Sequence, residues 1–402
     1  MGVAHIKGVN RYIVPKDKYK KGKTMKKLIL LFAATMMAST GLRAETVTYM
    51  DVDGQEKTVD ATVVTSADTP VTWGMAGTAT WYVVVPGTGV ELEYGAICSG
   101  AVNLILADGA RLVATGRQHG AGIQVSGEGN SLTIYGQAAQ SGQLYAEGSS
   151  EAAGIGGAYK QDGSNITING GRVSAAGGTS AAGIGGGYRQ HGFNITINGG
   201  EVTATGGASA AGIGGGEEGN GSSITINGGR VIANNIFEPG LETVGCGAGI
   251  GGGLKGAGSN ITITNGFVTA VGYGNASGIG NGEDADSYQH KNIFAAQRCI
   301  VRAGDSENPT DVIEHDGTSD LAGKLYGKHY VTVVYDLIDA YNNGYAAGEA
   351  AGDAAGYQRA KDELPTDAEG TEGSAVVVTK GRRSVTLINP DKVSFIKVSA
   401  GK

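Results

Sequence analysis

Proline, cysteine and aromatic side chains are all scarce in this chain: 402 residues hold seven prolines and three cysteines, and aromatics make up only 6%. Cys98, Cys246 and Cys299 are odd in number and far apart, so a disulfide framework is not indicated and buried thiols are the simpler reading. Little aromatic bulk leaves little to fill the core of a globule, yet 17% charged residues fall short of the charge density of disorder. Glycine abounds instead, with 72 residues. Thin stacked layers fit that composition better than a thick core.

Long apolar runs are also missing. Leu28 to Ala38 is too short to span a bilayer. It follows Met25, Lys26 and Lys27 and runs into small residues ending at Ala44, the layout of a secretory signal peptide cleaved before Glu45. The 24 residues ahead of Met25 carry seven Lys or Arg and one Asp and read as an over-extended start. Residues 1–44 hold ten basic residues and one acid, so the chain beyond them moves from a formal charge of -7 to -16. Nucleic acid and anionic lipid are poor partners for such a chain, because phosphate binding needs clustered Lys and Arg. No cysteine follows the signal region closely enough for a lipoprotein anchor.

Against these absences stands a repeat. Its unit reads A-G-I-G-G-G, a variable loop, N-I-T-I-N-G-G, then x-V-x-A-x-G-G. The glycine-flanked isoleucines Ile123, Ile155, Ile184, Ile213, Ile250 and Ile279 are separated by 32, 29, 29, 37 and 29 residues. The 37 is one unit with eight extra residues between Asn234 and Gly247. The second element starts at Leu104, Leu132, Ile166, Ile195, Ile224 and Ile261, with a degenerate copy near Ile293. Each unit holds three short alternating segments, which is strand periodicity. Asn-Gly between alternating strands is also a hairpin signal, so a hairpin-built meander or propeller competes, but a propeller blade needs about 40 residues or more. A solenoid explains why each position keeps its chemistry from unit to unit.

The expected fold is therefore all-β: a right-handed single-stranded parallel β-helix of about seven 29-residue coils over 96–304, with a small α+β C-terminal module. Residues 45–95 form an N-terminal β cap, with strands at Thr46–Tyr49, Thr62–Thr65 and Trp81–Val85. Stacking places Arg172, Glu201 and Arg230 side by side on the outside. Residues 305–364 comprise a strand near Tyr330–Tyr335 and a helix bearing Gly344, Gly348, Gly352 and Gly356, a candidate self-association surface. Residues 365–402 comprise an acidic linker and strands at Ala375–Thr379, Ser384–Ile388 and Val393–Val398.

No metal-ligand motif, nucleophile elbow or phosphate loop is present, and the coils hold no clustered Asp pair of the kind glycoside hydrolysis needs. No catalytic residue is assigned, and the expectation is a non-enzyme. Binding has two candidate surfaces. Loops after A-G-I-G-G-G carry Tyr159, Lys160, Gln161 and Asp162, then Tyr188, Arg189, Gln190 and His191, pairing aromatic groups with hydrogen-bonding ones as sugar sites do. The second is the outward column Thr133, Thr167, Thr196, Thr225 and Thr262, flanked by Asn165, Asn194 and Asn260. Glu283, Asp284 and Asp286 form the densest acid cluster of the repeat and suggest calcium as the one candidate cofactor, although their spacing matches no calcium loop.

The stretch A-A-G-I-G-G-G at 181–187 with N-I-T-I-N-G-G-E-V-T-A-T-G-G at 194–207 resembles the repeat of secreted bacterial carbohydrate-binding parallel β-helix proteins, an adhesin-like family. Val47 to Gly54, Trp81 to Val84 and Leu104 to Gly109 are similar to the N-terminal part of such proteins. The resemblance covers 45 to about 304 and implies an extracellular or cell-surface location and non-catalytic binding of a polysaccharide or host-surface glycan. Alternatives are a protein-binding or self-associating adhesin and, third, a polysaccharide lyase or glycoside hydrolase.

Overall fold

The computed structural model describes residues 43–87, 89–235, 246–286 and 291–335, and the backbone of three strands at Ala375–Lys380, Arg383–Ile388 and Lys397–Ala400. The signal segment through residue 42, the Gly344–Gly356 stretch and the acidic linker lie outside the described residues.

One coil explains the rest. A short strand, Ile184–Gly185, leads through a loop into a long strand, Gly192–Ile197, and then a third strand, Glu201–Gly206. Alternation puts Ile195, Ile197, Val202 and Ala204 inside at 0% exposure and leaves Thr196 and Thr203 half-buried on the outer surface. The corners take left-handed backbone: Arg189 (φ 57°), Asn194 (φ 54°) and Gly200 (φ 85°). Asparagine is one of the few side chains that tolerates this region, because its short amide bonds locally.

Coils stack in parallel and in register. Ile184 pairs with Ile155 and Ile213, Ile195 with Ile166 and Ile224, and Val202 with Val173 and Val231. A sixteen-stranded sheet contains the short-strand and long-strand ladders, joined through Ala96–Leu106. The first half of that strand pairs with Ile123–Gln124 and the second with Ser131–Gly136. The third strands form a separate nine-stranded sheet. The chain is thus a right-handed parallel β-helix, with its core in continuous columns of Ile, Val, Leu and Ala. Each fully buried Val or Ile contributes about 1.5–3 kcal/mol, most of it offset by lost chain entropy.

The glycines of A-G-I-G-G-G have a steric reason. Gly185 sits at φ 137°, and a Cβ there would lie 2.0 Å from the carbonyl oxygen of Gly214 in the next coil. Gly156, Gly214 and Gly251 repeat that approach at 1.9–2.1 Å. The short-strand corner closes only without side chains, so the motif records inter-coil contact.

Both ends are covered. Ala44–Met50 pairs antiparallel with Glu56–Val63, and Tyr49 packs its ring 4.8 Å from both Trp81 and Tyr135. The second strand of this cap therefore lies mostly upstream of the expected Thr62–Thr65, and parallel pairing already begins at its end, where Thr62 and Val63 pair with Tyr82 and Val83 of Val71–Val84. At the other end, the Asp320 carboxylate accepts hydrogen bonds from the backbone N–H groups of Asn292 (2.7 Å) and Ile293 (2.9 Å) on the last long strand. A four-residue helix, Ala322–Leu325, packs beside it. Tyr330–Tyr335 then runs antiparallel between Phe267–Val271 and Cys299–Gly304, so a returning strand separates the last third strand from its predecessors. Open sheet edges are thereby occupied by the chain itself. The C-terminal strands form a three-stranded antiparallel sheet.

Candidate functional site

The loop joining short and long strands recurs at the same height in every coil, so residues 29 apart in sequence become neighbours in space. Tyr159 and Tyr188 lie parallel, with centroids 5.9 Å apart and an interplanar angle of 5°. His119 of the preceding coil extends the column, 4.9 Å from Tyr159. Lys160 Nζ lies 5.0 Å from the Tyr159 ring centroid and Arg189 Cζ 5.1 Å from that of Tyr188. Lys160 and Arg189 both take left-handed backbone (φ 55° and 57°), the turn that aims each cation back over its own tyrosine. Rings stacked on one another turn their faces inward along the column. What meets solvent is a ridge of phenol edges and cationic groups rather than open aromatic faces.

The neighbouring charges are locally paired. His119 Nδ1 lies 3.1 Å from Glu151, and Glu218 is shared by Arg189 at 3.2 Å and Lys255 at 3.9 Å. These groups are partly solvated, so each pair contributes at most about 1 kcal/mol and serves mainly to hold geometry.

The other loop residues divide by role. The Asp162 carboxylate accepts the His191 backbone N–H (2.8 Å), His191 Nδ1 accepts that of Asn220 (3.0 Å), and Asn220 Oδ1 accepts that of Ala257 (2.8 Å). Gln161 Oε1 accepts hydrogen bonds from Gln124 and Ser126, both at 2.8 Å. Asp162, His191 and Gln161 therefore tie coil to coil, while Tyr159, Lys160, Tyr188 and Arg189 form the ridge. Gln190 stands beside the ridge, half-buried.

The threonine column is assembled as expected: Thr133, Thr167, Thr196, Thr225 and Thr262 pair in sequence along the long-strand ladder. Its asparagine flank has a different job. Asn194 donates to Asn165 (3.3 Å) and Asn292 to Asn260 (2.8 Å), at corner positions with φ of 53–60°. A second ladder runs along the other flank, from Asn227 to Asn198 (2.9 Å) and from Asn198 to Asn169 (2.8 Å). Both flanks spend their amides on each other.

Among the described residues, which include Glu283, Asp284 and Asp286, no group of three or more His, Cys, Asp or Glu side chains converges on one point. Glu283 instead accepts a hydrogen bond from Asn275 Nδ2 at 2.8 Å and engages the Cys246 thiol. Burial first, then Glu283 and the nearby carboxylates, push that thiol up to about 12.

One surface escaped the repeat motif. On the outer face of the third-strand sheet, Arg111, Gln143 and Arg172 stand in one row and Val113, Tyr145 and Ser174 in the next. The weaker signal was the L/V-x-A register shared by R-L-V-A-T, Q-L-Y-A-E and R-V-S-A-A, which aligns these rows without any glycine motif.

A family model described as a beta helix repeat matches residues 166–188, 195–217, 224–254 and 261–283. Each match runs from the long strand to the loop position held by Tyr188, Glu217, Leu254 or Glu283, and the first of them ends on the ridge. Curated proteins and solved structures give no match. Among the described residues, no helix is long and apolar enough to cross a membrane. Repeat match and strand pairing agree that this is a parallel β-helix protein.

Proposed function

We propose that the protein is a secreted or cell-surface, non-catalytic polysaccharide-binding protein whose contact surface is the ridge of Tyr159, Lys160, Tyr188 and Arg189. One observation carries this reading: the parallel Tyr159–Tyr188 stack, with a cation beside each ring, sets the same hydroxyl and charged groups on two successive coils. Coil spacing is about 4.8 Å, so a polymer with regularly spaced hydroxyls can engage successive coils at once. Weak contacts on one rigid scaffold then add, because the second forms intramolecularly. The signal-like segment ending at Ala44 supports export.

The non-catalytic part rests on the carboxylates beside the ridge. Glycoside hydrolysis needs two of them about 5–10 Å apart, one of which must act as an acid. Glu151 is engaged by His119 at 3.1 Å and Glu218 by Arg189 at 3.2 Å, so each carboxylate beside the ridge is spent on a neighbouring loop side chain rather than set opposite the other across a sugar site. A glycan array scored alongside released oligosaccharides tests the proposal. Retention of a polysaccharide without product supports it. A blank array with binding to host proteins transfers the function to an adhesin, and product release transfers it to an enzyme.

A further inference from the structure

Across the coil from the ridge, the outer face of the third-strand sheet carries a shallow groove lined by Gln143, Tyr145, Arg172, Ser174, Thr203 and the Glu201 carboxylate, with Arg111 at its edge over the Tyr145 ring. Tyr145 is 42% exposed there, although most of the large apolar and aromatic residues in these coils are buried. Its hydroxyl donates to Gln143 Oε1 at 2.9 Å, which fixes the ring. Arg111 lies with its guanidinium 5.1 Å from the Tyr145 ring centroid, and it makes no ion pair among the described residues. Arg172 reaches Glu201 only through Nε at 3.8 Å, while Glu201 is held more closely by Arg230 Nη1 at 3.3 Å. Arg172 is therefore the more loosely held of the two arginines that share Glu201. Glu147 is exposed on the same face in the row beyond Tyr145, and Glu201 is already shared between two arginines.

Two arginines thus flank Gln143 in a single row, one coil to either side of it, so their Cα atoms stand about 10 Å apart along the solenoid axis. In a chain with an excess of acids, arginines without close carboxylate partners offer forked donors to an anion from outside. We infer that this groove binds a linear anionic glycan, with Arg111 and Arg172 taking anionic groups of the chain and Tyr145 packing against a sugar between them. The inference rests on the glycan-binding reading for its class of ligand, but it concerns a different face from the ridge. A protein with both sites would bridge two polymer chains.

The test uses the whole protein and three polymers: polygalacturonate for carboxylate, chondroitin sulfate for a polymer that adds sulfate, and fully methyl-esterified polygalacturonate as the uncharged control. Binding of polygalacturonate, of chondroitin sulfate or of both is expected, at least about tenfold tighter than the esterified polymer, as loss of one charged hydrogen-bond set implies. Which of the two binds identifies the anionic group. R111Q and R172Q should each weaken binding about tenfold and Y145A further, with melting temperature unchanged, because these side chains lie on the surface. R172K, which keeps the charge without the fork, should fall between wild type and R172Q. Y159A/Y188A should keep the preference for free over esterified polygalacturonate even where overall affinity falls, whereas R111Q/R172Q should abolish that preference, so failure at the ridge and failure at the groove are told apart. Equal binding of esterified and free polygalacturonate, full affinity in R111Q/R172Q, or no binding of either anionic polymer would overturn the inference.

Discussion

A single added methyl group separates the glycines that let coils touch from those that merely turn the chain. At Gly185 the new Cβ would lie 2.0 Å from a backbone oxygen at φ 137°, whereas at Gly109 it meets open space at φ 78°. Gly185→Ala should therefore cost about 3 kcal/mol or more, from overpacking plus strained backbone, and Gly109→Ala about 1–2 kcal/mol, from backbone strain alone. Midpoints of urea unfolding would rank them; equal midpoints would refute the steric account. Cys98 gives a second expectation. Burial pushes its thiol up to about 12, so it stays protonated and unreactive at pH 8 in the folded state. Native protein should leave Cys98 unlabelled by a thiol reagent until urea exposes it. The buried state of Cys98 and Cys299 was legible from composition alone, but the role of Asn165 was not. N-x-T reads as an outward polar run, and only the corner geometry shows that the amide belongs to the next coil.

At the scale of the element, the asparagine ladders behave as a chain of shared bonds. Asn198 both donates to Asn169 and accepts from Asn227, while Asn169 has one ladder neighbour. Asn198→Ala should cost about 1–2 kcal/mol and Asn169→Ala roughly half as much, since the first strands two amides and the second only one. Comparable losses would mean that the ladder is not a connected network. The acid cluster near Glu283 predicts a contrasting result: with Glu283 engaged by Asn275 and Cys246, a chelator should leave the melting temperature where it was. A drop would restore a calcium site. Strand positions, columns and the Arg172–Glu201–Arg230 row followed from periodicity, because a parallel stack places like residues beside like. Asp162 and His191 mark the limit of that reasoning, since both also tie neighbouring coils together. Polar loop residues that recur near one position can face a ligand or cap the neighbouring coil, and spacing does not distinguish the two.

For the whole molecule, the stack makes stability a sum of coil terms and contacts between neighbours. Ile195→Ala, in the middle of a column at 0% exposure, should lower stability by about 2–5 kcal/mol. The ends were the least legible part of the fold, since the antiparallel insertion of Tyr330–Tyr335 and the Asp320 cap depend on contacts that no repeat announces. The ridge was half legible: its tyrosines recur at the coil period, but their parallel stacking, which turns the faces inward, depends on side-chain packing that spacing does not specify. The central claim is that this ridge holds a polysaccharide without cutting it. The most direct measurement is the affinity of the polysaccharide retained on the array for wild type and for Tyr159→Ala/Tyr188→Ala, with the β-rich circular dichroism spectrum matched between them. The account predicts that the variant loses at least about tenfold in affinity, the equivalent of 1.4 kcal/mol, while neither protein releases oligosaccharides. Undiminished binding by the folded variant, or product from the wild type, would contradict it.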